Sequence, residues 1–239
     1  MSNTALNIAH IKHRFLYLYL VLRRKTPWLR RSVRRQYLWY GSKHGGFFLM
    51  PELLNSNSVV YSFGIGVDIS FDTEIINKHG CTVYGFDPTP KSIKWIESSK
   101  RPDKFHFLPY GISNKTGSAT FYLPVNENHV SGSLAETEVV SSSKKVEVPM
   151  KSFNDIIKEL KHEKIDVLKM DIEGAEYDVL PDIMKQNISI NQIQVEFHHR
   201  LFSGGNKKTK DAVELLKNNG FDLYAISKTG EELSFVKRT

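Results

Sequence analysis

The chain has 239 residues, 40% hydrophobic and 25% charged, which suits one globular domain with a sizeable core and a short appendage. Its one cysteine, Cys81, excludes an intrachain disulfide; set just before an apolar run, it reads as a buried, inert thiol in a reducing, cytoplasmic compartment. The net charge of +7 is unevenly placed: residues 1–51 hold ten Lys/Arg and no Asp/Glu, leaving 23 basic against 26 acidic residues beyond them. A nucleic-acid enzyme would spread basic charge over its working face, and the globular part here does not.

The basic segment, "HRFLYLYLVLRRKTPWLRRSVRRQYLWYG" (13–41), mixes aromatics and leucines with arginines. Its apolar run, Phe15 to Leu22, is eight residues long, against the ~20 that span a bilayer. It lacks the cleavage pattern of a secretory signal. Three readings stay open: a helix packed on the main domain, an amphipathic contact of residues 10–40 with an anionic inner-membrane surface, and a nucleic-acid arm. An organelle transit peptide is a minor fourth. Pro27 breaks or restarts any helix there.

From residue 55 short β-type runs alternate with helical patterns. "SVVYSF" (58–63) predicts a strand, "FDTEIINKHG" (71–80) a helix closed by Gly80, and "TVYGF" (82–86) a strand. "TPKSIKWIESS" (89–99) predicts a helix with Thr89 as N-cap and Pro90 at its first position, followed by the strand "KFHFLPY" (104–110). "GSATFYL" (117–123) and "KKVEVPM" (144–150) pair as an inserted hairpin around a polar, Ser-rich loop at 126–145. "SFNDIIKEL" (152–160) predicts a helix capped by Ser152, with Phe153, Ile156, Ile157 and Leu160 on one face. Then come the buried strand "IDVLKM" (165–170), a helix from "EGAEYDVL" (173–180), the strand "NQIQVEF" (191–197) and the helix "KDAVELLKNNG" (210–220). "FDLYAI" (221–226) and "ELSFVK" (232–237) form a closing hairpin. The alternation predicts an α/β fold, a doubly wound and mostly parallel sheet ending in an antiparallel pair. S-adenosylmethionine-dependent methyltransferases have that architecture.

In such sheets the ligand lies beyond the carboxyl ends of the strands. The first strand ends in Phe63-Gly64-Ile65-Gly66, and the second in "GFDP", which sets Asp87 about 20 residues past the glycines, the spacing of a ribose-binding carboxylate. A dinucleotide pyrophosphate needs an acid-free loop and a third glycine; Asp68 lies in this loop and Ile69 holds the third position. S-adenosylmethionine has no phosphate, and Asp68 could hold its α-ammonium.

"MDIEGAEYDVL" (170–180) puts Asp171 at the carboxyl end of a buried strand, where an uncompensated acid is costly, with Glu173 and Glu176 in the turn that follows. "QVEFHHR" (194–200) brings Glu196, His198 and His199 to the same rim, and the alternation of an extended chain turns only one histidine toward it. That histidine, or Asp171, is a candidate general base for a hydroxyl nucleophile. Carboxylates with histidine could also hold a divalent metal, but no recognised ligand spacing is present.

These stretches, "MDIEGAEYDVL", "FDPTPKS", the Ser-Gly-Ser of "HVSGSL", "VEFHHR" and the lead-in "GGFFLMPELL", resemble the FkbM-type methyltransferases over residues 45–237. The chain departs from the family's glycine-rich D-x-G-A-N-x-G loop, having "SFGIGVDISFD", and so resembles a divergent subfamily. The resemblance implies a class I methyltransferase domain at 45–239 behind a basic helical arm at 1–44, acting on hydroxyls of sugars, polysaccharides, glycolipids or other small molecules. Gly64, Gly66, Asp68, Asp87, Pro88 and Glu173 would hold S-adenosylmethionine. Ser131, Ser133 and Glu196 would face the substrate, and Asp171, His198 and His199 the chemistry. Ribose methylation of RNA through the basic arm and a non-catalytic binding protein are the competing expectations. Base amino methylation usually shows N/D-P-P-Y where this chain has "MDIEG". Metal need and oligomeric state are not readable.

Overall fold

A computed structural model describes residues 15–124 and 140–238. A short hairpin comes first, β1 (Leu38–Tyr40) against β2 (Phe47–Leu49), and then strands alternate with helices. In chain order these are β3 (Val59–Phe63), α1 (Ser70–His79), β4 (Thr82–Phe86), α2 (Pro90–Ser98), β5 (Phe105–Leu108), β6 (Gly111–Ser113), β7 (Gly117–Pro124), β8 (Val140–Ser152), α3 (Phe153–Leu160), β9 (Lys164–Met170), α4 (Glu176–Met184), β10 (Ser189–Glu196), α5 (Gly205–Asn218), β11 (Phe221–Ile226) and β12 (Glu232–Lys237).

Local signals start and stop the helices. Thr89 Oγ1 accepts from Ser92 N–H at the start of α2 and Ser152 Oγ from Asp155 N–H at the start of α3, each cap contributing about 1 kcal/mol. Gly80 ends α1 in the left-handed region, φ 68°, its N–H bonded to Ile76 O at 2.7 Å.

Seven strands form one sheet in the order β11-β12-β10-β9-β3-β4-β5. All run parallel except β12, which is antiparallel to both neighbours. The strand order reverses between β3 and β9, so a crevice opens at their carboxyl ends. In register, Val60, Val83 and Val167 share one face and pack on Phe71, Ile75 and Ile76 of α1 and Ile96 of α2. Tyr61 and Leu168 share the other, over α3, α4 and α5 through Ile156, Leu180 and Val213. Both faces are covered, as a parallel sheet requires.

The predicted inserted hairpin is present as β7 and β8, and β6 joins it in parallel to make three strands. Ser131 and Ser133 lie outside the described residues. Among the described residues of the basic arm, 15–22 are helical, and the chain then turns and continues irregularly to β1. A boundary at 44/45 falls inside the β1–β2 hairpin. Tyr40, Phe47 and Leu49 of that hairpin are buried in the α1 face, and Gly41 N–H bonds Glu74 Oε2 at 2.7 Å, so residues 38–49 fold with the main domain.

Candidate active site

The switch point is built on one glycine. Asp171 N–H bonds Phe63 O at 3.0 Å and Gly64 N–H bonds Phe86 O at 2.9 Å, stitching the ends of β9, β3 and β4. Gly64 has φ 75°, and a Cβ there would sit 1.6 Å from the Asp171 carbonyl oxygen, so no side chain fits. Beside it opens a crevice of about 290 Å³, the lower end of the range for small-molecule sites. Gly64, Gly66, Asp68, Asp87, Pro88, Asp171 and Glu173 all line it.

Asp87 is held in place by its own strand end. Its Oδ2 accepts from Gly66 N–H at 2.9 Å, and its Oδ1 from Thr89 N–H at 3.0 Å and Thr89 Oγ1 at 2.7 Å. This bond joins the glycine loop to the acid 21 residues on, as their spacing predicts. Asp68 sits in the same wall. Burial opposes its charge, but donors from Ser42 Oγ at 2.7 Å and Ser70 N–H at 2.8 Å hold its carboxyl below the usual range. Lys169, buried in β9, adds a cation. Its Nζ donates to Gly64 O at 2.9 Å and favours the charged forms of Asp68 and the fully buried Asp72. Burial nonetheless pushes Asp72 up. A crevice floored by glycine and walled by carboxylates suits a cationic nucleoside and repels a pyrophosphate.

Behind Asp171 the acids converge on one imidazole. His198 is 1% exposed, and its Nδ1 lies 2.9 Å from Glu176 Oε1. Its Nε2 faces Glu173 Oε2 at 3.3 Å, Asp171 Oδ1 at 3.7 Å and Glu196 Oε1 at 3.7 Å. The Asp-Ile-Glu-Gly turn makes this possible: Glu173 takes φ 51° and Gly174 φ 103°, which lets Ile172 N–H and Gly174 N–H both reach Glu176 Oε1, at 3.0 and 3.3 Å. A side chain on Gly174 would meet the Phe202 ring at 2.7 Å.

This geometry sets the charge of the site. Burial disfavours the imidazolium, but Glu176, Asp171 and Glu173 outweigh it and push His198 up to about 10. Glu196 is pushed up by burial and by the neighbouring Asp171 charge. At neutral pH His198 is therefore a cation that binds the carboxylates together, not a free base. One ligand atom from each of Asp171, Glu196 and His198 lies within 4.8 Å of the others, a spacing that could hold a divalent ion only if the ion displaced the imidazole proton.

His199 turns elsewhere. Its Nε2 donates to the Lys25 carbonyl at 3.1 Å, its Nδ1 is buried without a partner, and burial lowers its pKa. It anchors the arm, so His198 is the histidine that meets the acids. Sequence reasoning missed Glu176 as the hub, taking it for a turn acid. It also missed Lys169, whose signal was a lone lysine inside a buried strand. Cys81 is buried and its thiol pushed up to about 11 by burial, the inert state its context predicts.

The strand order, with its antiparallel β12, is that of the class I methyltransferases. Residues 58–223 match the Methyltransferase FkbM domain. The chain is 28% identical over 155 residues to the human "Probable methyltransferase-like protein 24", covering 64% of this chain and 36% of that one. It is 26% identical over 132 residues to "Hexuronic acid methyltransferase AglP" of Haloferax volcanii, covering 52% of each. Among solved structures it is similar to Methanococcus jannaschii fibrillarin (TM-score 0.45, 12% identity, 79% of this chain and 68% of that one). It is also similar to Aeropyrum pernix fibrillarin with bound S-adenosylmethionine (TM-score 0.42, 10% identity, 88% and 84%). With the domain match running from β3 into β11, the chain belongs to the FkbM methyltransferase family.

Proposed function

We propose that the protein transfers a methyl group from S-adenosylmethionine to a hydroxyl of a sugar, in a polysaccharide, a glycolipid or a smaller glycan. The observation that carries this reading is the place of Asp171. It lines the crevice and is 22% exposed there, while its Oδ1 also belongs to the acidic cluster around His198. One residue thus joins the nucleotide crevice to a proton-accepting site. The relative named for hexuronic acid methylation supports a sugar acceptor.

When bound, S-adenosylmethionine supplies an electrophilic methyl on a sulfonium, and the carboxylates of Asp68, Asp87, Asp171 and Glu173 suit its cationic end and its ribose. Asp171 would take the acceptor's hydroxyl proton as the methyl carbon passes from the sulfonium sulfur, left as a neutral thioether, to the acceptor oxygen. His198 would hold Asp171 and Glu173 in one place by charge. Holding the acceptor oxygen in line with the methyl group would supply much of the acceleration.

Calorimetric titration with S-adenosylmethionine and with NAD, followed by labelled-methyl transfer to a panel of acidic and neutral saccharides, tests this. Micromolar binding of S-adenosylmethionine alone and a labelled methyl ether on a saccharide are expected. Binding of NAD instead, or binding of neither by folded protein, would overturn it.

A further inference from the structure

The arm poses a separate question. Six large hydrophobic side chains stand out as exposed among the described residues: Phe15 (69%), Leu16 (41%), Tyr19 (55%), Leu22 (83%), Trp28 (49%) and Leu38 (54%). All six lie in residues 15–38, although the described residues extend to 238. The same segment carries Arg23, Arg24, Lys25, Arg30, Arg31, Arg34 and Arg35, all exposed, with no acid before Glu52. Among the described residues of the rest of the domain, no large hydrophobic side chain stands out as exposed, so this concentration is local.

The segment is also fixed to the domain. Tyr17 OH donates to Pro27 O at 2.9 Å and accepts from Leu29 N–H at 2.8 Å. The ring of Tyr17 and the hydroxyl of Thr26 pack against Gly230. Asn206 Nδ2 donates to Arg24 O at 2.9 Å, His199 Nε2 to Lys25 O at 3.1 Å, and Ser32 N–H to Leu223 O at 2.7 Å. The bonds to the body come from the chain just after the helix, at Arg24, Lys25 and Ser32, while the helix itself meets the body through the Tyr17 ring at Gly230. Phe15, Tyr19 and Leu22, at i, i+4 and i+7, share the other side, with Leu16 at its edge. The result is an apolar ridge on a short segment that also carries seven exposed cations and is tied to the folded domain.

We infer that this face docks on an anionic lipid bilayer, the ridge entering the boundary between headgroups and acyl chains and the arginines meeting lipid phosphates. Two physical terms point to the same occupant. An apolar face alone would serve any partner; seven exposed cations on a segment that carries no acid of its own favour a negatively charged one. Cations alone would serve a nucleic acid; a ridge of Phe, Leu, Tyr and Leu beside them gains most where there is hydrocarbon to enter. No helix among the described residues is long and apolar enough to cross a membrane, and the contact inferred is with the bilayer surface. The arm is bonded to His199, next to His198, so docking holds the rim of the acidic cluster near the lipid plane. The inference does not depend on methyl transfer or on the identity of the acceptor.

Vesicle co-sedimentation of the full chain tests it, with phosphatidylcholine vesicles and with vesicles containing a fraction of phosphatidylglycerol, at low and high salt. Binding to the phosphatidylglycerol vesicles at least roughly tenfold tighter than to phosphatidylcholine alone, and weakened by salt, is expected. The triple variant Phe15→Ser, Tyr19→Ser, Leu22→Ser should lose binding by roughly tenfold or more, with circular dichroism and Tm unchanged because these side chains are exposed. Pairwise Arg→Gln changes at Arg30 and Arg31 and at Arg34 and Arg35 should reduce the phosphatidylglycerol preference. Three results would overturn the inference. One is equal binding by the triple variant and the wild type. Another is no vesicle binding together with salt-sensitive binding to RNA. The third is a concentration-dependent dimer abolished by the triple variant, which would assign the ridge to a second copy of the chain.

Discussion

His198 Nδ1 lies 2.9 Å from Glu176 Oε1, and that same oxygen accepts two backbone N–H groups of the Asp-Ile-Glu-Gly turn. One carboxylate therefore fixes both the turn that carries Asp171 and the imidazole that faces it. Glu176→Gln keeps an acceptor for the turn but removes the charge that stabilises the imidazolium. We expect kcat to fall about 10–100-fold, the range for losing a partner that orients a ligating or catalytic group. S-adenosylmethionine affinity should change little, since Glu176 does not line the crevice. The ring titration of His198 followed by NMR should move down in pH. An unchanged titration in a folded variant would show that Glu176 is only a structural cap.

The same coupling makes stability depend on pH. His198 titrates near 6.5 when unfolded and is pushed up to about 10 when folded. A raised histidine contributes stability that is fully present below about pH 6.5 and is lost as pH rises through the folded value. Glu196, raised by burial and Asp171, acts in the same direction. Denaturant unfolding between about pH 6 and pH 9 should thus show a steady loss of stability. His198→Gln should be less stable than wild type at the acid end and show a flatter slope. Parallel slopes in the two proteins would contradict the charged state assigned to His198.

Gly64 and Gly204 separate backbone strain from collision. Both have positive φ, 75° and 73°. A Cβ at Gly204 meets nothing within 4 Å, whereas one at Gly64 meets the Asp171 carbonyl oxygen at 1.6 Å. Gly204→Ala should cost only the left-handed penalty, about 1–2 kcal/mol. Gly64→Ala must push β3 and β9 apart at the crevice, and we expect a loss of ~3 kcal/mol or more with cofactor binding abolished. Equal Tm values for the two variants would mean that the strand ends are more compliant than this packing implies.

Elements whose boundaries are set by short-range chemistry were legible in the sequence. Thr89, Ser152 and Gly80 announced their helices because caps and left-handed stops act within four residues. The β1–β2 hairpin was not legible: its strands have three residues each, too few to show alternation, and they form because Tyr40 and Phe47 find a core contributed by α1. Helix α4 starts at Glu176 rather than Glu173 because Glu173 and Gly174 take positive φ, which no local rule required of a glutamate. At the site, Gly64, Gly66 and Asp87 were readable from their spacing, since loop and acid lie on adjacent parallel strands. Glu176 was not, because its partner His198 is 22 residues away and meets it only through the β9–β10 pairing.

Asp87 offers the sharpest test of the cofactor. Its carboxylate accepts Gly66 N–H on one oxygen and Thr89 N–H and Oγ1 on the other, and it lines the crevice. Asp87→Asn would turn one acceptor into a donor facing an N–H, so either the glycine loop or the Thr89 cap must release its bond. A ribose hydroxyl would lose its charged acceptor as well, and hydrogen bonds to charged groups contribute about 1.5–3 kcal/mol. We expect S-adenosylmethionine affinity to fall roughly 10–100-fold by calorimetry. Thr89→Val is the control. It removes the α2 cap, costing about 1 kcal/mol of stability, but leaves the Asp87 charge in the crevice, so affinity should stay close to wild type. Equal loss of affinity in both variants would mean that Asp87 serves the loop alone, and the ribose would have to be held by another group on the crevice wall.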